Sequence, residues 1–231
     1  MTREFTSVSV VIPVLNGSPW IKEALDSIAR QTLVPFEVIV VDGGSRDDSE
    51  SLVQQFSLKR GSPRTSFLWH EKTDAASKRN IGACKASGEF IAFLDADDVW
   101  PEERTERLLS PLIVDQTLDC VTGNIQEFRQ DSKISNSAIR LGRPAATRLP
   151  SAALLRRSSF ERVGYFSTQL QIGETIEWWA RAEDAGFHTL SIDFTVLLRR
   201  IHDSNLGRTQ ADPGREYLAM LRQVLQRRRN M

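Results

Sequence analysis

The sequence predicts an α/β fold, a mostly parallel twisted sheet flanked by helices, and three observations carry that prediction. Two short runs, Val8–Val14 and Phe36–Val41, are almost uniformly apolar and rich in β-branched residues, as strands buried on both faces are. Between them Ile21, Ala24, Leu25 and Ile28 recur at helical spacing, so the strands join as a β-α-β unit. The chain also has the size and composition of one large globular unit: 231 residues, 40% hydrophobic and 26% charged, with no proline- or glycine-rich linker dividing it.

Taken in order, Val8–Val14 is the first strand, and Ser18–Pro19 offers an N-cap with proline at the first helical position. Phe36–Val41 is the second strand, and Asp47–Glu50 starts a helix that runs through Phe56. Thr65–Trp69 reads as the third strand, Asp74–Ala86 as the third helix and Phe90–Leu94 as the fourth strand. Pro101 opens a helix toward Val114, and Leu118–Phe128 is extended. Arg129–Thr147 is polar and holds Gly142 and Pro144, which predicts a mobile flap or insertion. Phe160–Val163, Glu174–Ala185 and Pro213–Arg228 read as helices, with short strands at Phe187–Asp193 and Thr195–Arg200.

Thirty basic and thirty acidic side chains leave no net charge, which argues against a nucleic-acid-coated surface. The balance is uneven along the chain. From Arg199 onward eight arginines face only Asp203, Asp212 and Glu216, so the C-terminus suits contact with anionic headgroups at a membrane surface, or simply a solvated helix end. Val8–Leu15 falls far short of the roughly 20 apolar residues that span a bilayer, and no secretory signal is visible, so the expected address is the cytoplasm, peripheral to the inner membrane surface. Cys84 and Cys120 lack metal-ligand spacing and are expected as buried free thiols.

In open α/β sheets ligands bind beyond the carboxyl ends of the strands, so chemistry is sought there. Asp95, Asp97 and Asp98 follow directly on the fourth strand; such hard oxygen donors suit Mg2+ or Mn2+, most usefully where a diphosphate must be neutralised. The same acids would also cap the helix that opens near Pro101. Asp42 ends the second strand before Gly43–Gly44–Ser45, placed either to read a nucleoside or to cap its own turn. No GxGxxG or GxxxxGK[ST] pattern follows a strand, so a diphosphate would depend on metal rather than on a glycine cradle.

The order of four segments, Val10–Asn16 (VVIPVLN), Val40–Ser45 (VVDGGS), Arg79–Gly82 (RNIG) and Gly88–Asp98 (GEFIAFLDADD), resembles the family 2 glycosyltransferases of the GT-A fold. The likeness is close over about residues 7 to 100 and continues more loosely through Ser151–Leu155, Phe160–Phe166, Gly173–Glu174 and Arg199–His202. It implies one Rossmann-like GT-A domain over residues 1–231: a nucleotide-sugar-binding half, 1–100, a smaller mixed acceptor-side half, 101–203, and a basic C-terminal helix, 204–231. It implies an inverting, metal-dependent transferase that moves a sugar from a nucleotide diphosphate, UDP by default, to a hydroxyl of a saccharide, lipid-linked or small-molecule acceptor. Pro13, Val14, Leu15, Asn16 and Asp42 would then frame the nucleoside, with Arg79 near the base or diphosphate and Asp95 by the ribose. Asp97 would be the main ligand of Mn2+ or Mg2+ in the DxD-like motif, and His202 would approach the diphosphate or metal.

Two positions depart from the family pattern. Leu15 stands where an aromatic residue usually stacks on the nucleobase, and Thr175 stands where the family has the aspartate that acts as general base. Glu174 and Glu177, three apart on one helix face, are the nearest carboxylates to take that role, Glu174 first; both also suit simple helix N-terminal acids. Trp178–Trp179 offers an apolar wall for a sugar, with one of the two directed to the core. Thr175 also keeps open a non-catalytic relative that binds sugar nucleotide or carbohydrate. A nucleotidyltransferase would need a basic, glycine-rich triphosphate loop, which Asn16–Pro19 does not supply.

Overall fold

A computed structural model describes residues 7–71, 74–130, 138–170 and 173–203. The expected C-terminal helix, Pro213–Arg228, lies outside the described residues. The first half follows the predicted alternation: β1 (Val8–Val14), α1 (Ile21–Ala29), β2 (Glu37–Asp42), α2 (Ser49–Ser57), β3 (Arg64–Trp69), α3 (Ala75–Lys85) and β4 (Phe90–Phe93). Then come α4 (Arg104–Val114), β5 (Cys120–Gln130), β6 (Ala138–Ala146), a 3-10 turn at Pro150–Ala152, β7 (Ala153–Arg156), α5 (Arg157–Val163), α6 (Glu174–Asp184) and β8 (Thr189–Arg200).

All these strands join one sheet in the order β3-β2-β1-β4-β7-β5-β6, with β8 paired to β5. The pairs β1–β2, β2–β3, β1–β4 and β5–β8 are parallel, and β7 is antiparallel to both β4 and β5. The order reverses at β1, whose successor strands β2 and β3 lie on one side while β4 lies on the other. The crevice at the carboxyl ends of β1 and β4 is therefore the topological switch point where such sheets bind ligands.

Alternation along the strands divides the core between the two faces. Val10, Ile12, Val38, Val40, Phe90 and Ala92 pack with Ile21, Leu25 and Ile28 of α1, Val53 and Phe56 of α2 and Leu108 and Leu112 of α4. Val11, Ile39, Val41, Ile91 and Phe93 pack on the other face with Ala76 and Ala83 of α3, Phe160 of α5 and Trp178 and Trp179 of α6.

Several expectations are corrected. Helix α1 begins at Ile21, not at Pro19: Trp20 is its N-cap without a side-chain bond, and the Ser18 N–H is instead donated to Asp47 Oδ2 at 2.8 Å. The expected flap contains β6, which pairs antiparallel with β5; an edge strand satisfies its backbone on a neighbour and needs no apolar pattern of its own. The two short strands near the end are one, β8, with its irregularity against β5 falling between Thr122 and Ile125. Strand β7 has no counterpart among the predicted elements. Cys120 is buried, but Cys84 is exposed. Among the described residues no helix is long and apolar enough to cross a membrane.

Candidate functional site

Strand β1 ends in a turn that is tied to the turn after β2. Asn16 adopts a left-handed backbone, φ 51°, a conformation asparagine tolerates better than most residues, and its Oδ1 accepts from the Arg46 N–H at 2.9 Å. The Asn16 and Gly17 N–H groups are donated to Ser45 Oγ and Ser49 Oγ at 2.7 and 2.9 Å. Pro13 and Val14 are buried in the sheet, whereas Leu15 is 52% exposed. Asp42 is 2% exposed and accepts from the Gly44 and Ser45 N–H groups at 3.2 and 2.9 Å and from the Ser45 hydroxyl. Its visible work is to cap its own turn.

Beneath this turn lies Lys78 of α3, a residue that no sequence motif singles out. Its Nζ donates to the Val14 carbonyl at 3.2 Å, and burial pushes the ammonium below its usual range while Asp42 pulls it partly back. Arg79 beside it is 8% exposed and bridges two carboxylates, Asp95 at 2.7 Å through Nη2 and Glu174 at 3.3 Å through Nη1. Burial opposes that charge, but Asp95 and then Glu174 more than offset it, so the guanidinium is held above its ordinary range. Its Nε is buried without a partner. Helix α3 is thin enough to bring these long side chains to the strand ends: Ala76, Gly82 and Ala83 face the sheet, and a Cβ on Gly82 would lie 2.3 Å from Val11 Cγ1.

The acidic loop after β4 is closed from the far end of the chain. The Arg200 N–H is donated to Asp98 Oδ1 at 2.9 Å, its Nε to the Asp97 carbonyl at 2.9 Å and its Nη2 to Glu23 Oε2 at 2.6 Å. His202 Nε2 meets Asp97 Oδ2 at 2.9 Å while its ring stacks on Trp20, centroids 4.1 Å apart and planes 17° from parallel. Asp98 is 4% exposed; burial, then Asp95 and Asp97, push its carboxyl well above the usual range, against the pull of the Arg200 N–H.

The structure thus brings Arg79, Asp95, Asp97, Glu174 and His202 together from separate parts of the chain. It separates the two candidate bases. Glu174 opens α6 after Gly173, φ 86°, and faces Arg79, with the Thr175 hydroxyl 3.5 Å from its Oε1. Glu177 is 6% exposed and accepts from Arg181 Nε through both oxygens at 2.9 and 3.0 Å; Arg181 in turn donates to the Val163 and Tyr165 carbonyls, a brace between α6 and the end of α5. Trp178 and Trp179 are 1% and 5% exposed, so both belong to the core and neither forms a sugar wall.

For a cation, the described residues offer no cluster of three or more His, Cys, Asp or Glu side chains. They do offer a carboxylate and an imidazole, Asp97 and His202, already in contact. The Asp97 carboxylate is an oxygen donor of the kind Mg2+ and Mn2+ take together with substrate phosphates and water, and His202 would have to leave Asp97 Oδ2 before its Nε2 could join it, a donor better suited to Mn2+ than to Mg2+.

The profile of "Glycosyl transferase family 2" matches residues 9–170. Glycosyltransferase AglE of Haloferax volcanii is 32% identical over 200 residues, covering 81% of this chain and 64% of that protein. An uncharacterized glycosyltransferase of Rickettsia felis is 38% identical over 101 residues, 44% of this chain and 16% of that protein. The matched region therefore spans between about a sixth and about two thirds of the length of these relatives. Among solved structures, S. aureus TarS 1-349 in complex with UDP-GlcNAc superposes with a TM-score of 0.77 at 19% identity, over 94% of this chain and 65% of that one. Mannosyltransferase PcManGT from Pyrobaculum calidifontis, in complex with GDP-Man and Mn2+, gives 0.67 at 21% identity, over 86% and 58%. Both show the same GT-A fold. With the profile covering well over half of its length, this chain belongs to glycosyl transferase family 2.

Proposed function

We propose that the chain is an inverting glycosyltransferase that uses a divalent cation to move a sugar from a nucleotide diphosphate to an acceptor hydroxyl. The observation that carries the reading is the meeting of Arg79, Asp95, Asp97, Glu174 and His202 at the switch point of the sheet. The UDP-GlcNAc and GDP-Man named for the two structural neighbours support a nucleotide-sugar donor.

In this reading the turns at Pro13–Asn16 and Asp42 border the nucleoside, with Asp95 by the ribose. Leu15, exposed and aliphatic, gives the base an apolar contact without an aromatic stack. Arg79 faces the diphosphate in this reading while it holds Asp95 and Glu174, each through one Nη, so its charge is shared between the carboxylates and the phosphates. Asp97, with His202 beside it, would hold the cation, Mn2+ or Mg2+, which would supply charge neutralisation at the leaving diphosphate. Glu174 takes the proton of the attacking hydroxyl on Oε, the oxygen bonds to the anomeric carbon from the side opposite the diphosphate, and the departing phosphate oxygen keeps the electron pair of the broken bond. Glu177, engaged by Arg181, holds the helix that presents Glu174. The reading also takes a saccharide, lipid-linked or small-molecule acceptor, a cytoplasmic location, and contact of the basic residues beyond Arg199 with the inner membrane surface.

The test is calorimetric titration of UDP, GDP and dTDP with and without Mn2+, on the wild type and on Asp97→Ala. Metal-dependent binding of one nucleotide that is lost in the variant is expected; no binding of any of the three overturns the reading. One observation favours a second, non-catalytic reading: Thr175 at the position of the expected base. Turnover of a nucleotide sugar with a real acceptor excludes it.

A further inference from the structure

We infer that Trp20 is the positioning residue for His202, setting the plane and the reach of the imidazole that meets Asp97. The inference rests on the donor-site reading above and adds a residue that lies outside every motif used to reach it.

A hydrogen bond at one ring nitrogen, such as the 2.9 Å contact of Nε2 with Asp97 Oδ2, locates that atom, whereas a face-to-face contact acts on the ring plane. The Trp20 indole supplies that contact, stacked at 4.1 Å and within 17° of parallel. Such offset stacks are a preferred aromatic arrangement, so the ring has an orientational minimum as well as an anchor.

Trp20 is itself held by its backbone. Its N–H is donated to the Gly17 carbonyl at 2.9 Å, and its carbonyl accepts from the Glu23 and Ala24 N–H groups at 2.9 and 3.2 Å as the first turn of α1. Gly17, in turn, is fixed to Ser49 Oγ at 2.9 Å. Three residues along the same helix, Glu23 takes Arg200 Nη2 at 2.6 Å. Residues three apart on a helix are neighbours, so one face of the first turn of α1 grips the end of β8 twice, at Arg200 and at His202. Trp20 is half-buried and belongs to none of the buried core clusters.

Groups that orient a ligating histidine without touching the metal commonly change affinity by 10- to 100-fold when removed. The experiment is titration of UDP in the presence of Mn2+ into the wild type, Trp20→Leu, Trp20→Phe, His202→Ala and the double variant Trp20→Leu/His202→Ala. Trp20→Leu should weaken binding on the order of 10-fold, toward the lower bound for such groups. Trp20→Phe, which keeps a flat ring, should restore most of it, and Trp20→Leu should add nothing on the His202→Ala background. Full affinity in Trp20→Leu, or losses that simply add in the double variant, overturns the inference.

Two controls separate its failure from that of the donor site. If the wild type binds UDP with Mn2+ and loses it in Asp97→Ala, the site stands, and a silent Trp20→Leu sinks only the role of Trp20. If the wild type does not bind, the donor-site reading falls first. Should Trp20→Leu not fold, the difference in tryptophan emission between the wild type and Trp20→Phe isolates the indole. Taken again on the His202→Ala background, that difference should change, because the ring stacked on the indole is gone; an unchanged difference is again an overturning result.

Discussion

Replacing Gly82 by alanine sets two physical effects against each other. In an exposed helix interior this change stabilises by about 1 kcal/mol, because glycine has more backbone freedom to lose on folding. In α3, however, the new Cβ falls 2.3 Å from Val11 Cγ1 and 3.1 Å from Cγ2, where ordinary contact begins at 3.4 Å, so about 1.1 Å of space must be found. Val11 cannot provide it: it is fully buried in the strand paired on both sides, by β2 and β4. The helix must move instead, and overpacking of this kind costs about 1–3 kcal/mol. The expected net result is a loss of about 1 kcal/mol. Moving α3 also moves Arg79, one turn earlier, away from Asp95, so affinity for the nucleotide should fall with stability. Urea unfolding and UDP titration measure the two effects. Val11→Ala, which removes both offending methyls, should be less costly in the Gly82→Ala background than in the wild type. A Gly82→Ala variant more stable than the wild type, or two substitutions that simply add, would refute the tight α3–β1 packing on which the placement of Arg79 depends.

Other perturbations act on single interactions. Arg79→Met leaves Asp95 and Glu174 facing one another without their shared cation; because the Asp95 side chain is 35% exposed, the cost should lie below the roughly 3–5 kcal/mol of a fully buried pair, about 2 kcal/mol, and Arg79→Lys should recover little because an ammonium cannot span both carboxylates as a planar fork does. Urea unfolding of the three proteins checks both expectations. Glu174→Gln should lower turnover by roughly 10²- to 10⁴-fold with nucleotide affinity little changed, whereas Glu177→Gln should lower thermal stability by weakening Arg181 and leave turnover nearly intact. Glu37 is buried, which opposes its charge, yet the Ser87 N–H and the Ser9 and Ser87 hydroxyls hold its carboxyl below the ordinary value near 4.5. Its contribution is thus present above that value and lost as pH falls through the lowered one. Glu37→Leu should therefore cost about 2–3 kcal/mol at pH 7, and the gap to the wild type, followed by urea unfolding, should narrow as the pH falls below 4.5 and through the lowered value.

What is legible in the sequence is what local chemistry controls. Asp74 caps α3 through the Ser77 N–H at 2.7 Å, and the strand runs up to Phe93 declare themselves because strands buried on both faces need apolar residues at nearly every position. The acids at Asp42 and Asp95–Asp98 stand out because strand ends in such sheets are where ligands bind. What stays hidden is long-range. Nothing in Ala153–Arg156 says that it will lie between β4 and β5, and β6 needs no apolar run because β5 satisfies its backbone. Arg200 and Trp20 are invisible for the same reason: their partners sit 177 and about 180 positions away in the chain. Lys78 does carry a local signal, since a helix whose sheet-facing side is Ala76, Gly82 and Ala83 lies close enough to the strands for its lysine and arginine to reach their ends.

The charge balance of the crevice explains why nucleotide and cation should bind as a unit. Asp95, Asp97 and Asp98 crowd one turn, and Glu174 and Glu23 arrive from α6 and α1. The fold blunts this field in two ways. It buries Asp98, which together with its neighbours pushes that carboxyl well above the usual carboxylate range, and it divides the cationic side chains among several acceptors: Arg79 is shared by two carboxylates, and Arg200 joins Glu23 to the backbone of Asp97. A diphosphate entering alone would share the charge of Arg79 with Asp95 and Glu174 while facing Asp97 across the turn, so the one guanidinium would have to balance more negative charge than it carries. On the donor-site reading, a divalent cation on Asp97 and His202 reverses that sign at the carboxylate nearest the phosphates. Because coupling between two ligands is reciprocal, the nucleotide should tighten the cation by the same factor by which the cation tightens the nucleotide. Two protein donors are then enough, since the remaining ligands come from the diphosphate and water. A site built to hold the cation by itself would need more acid in a turn whose repulsion already pushes one carboxyl toward its neutral form.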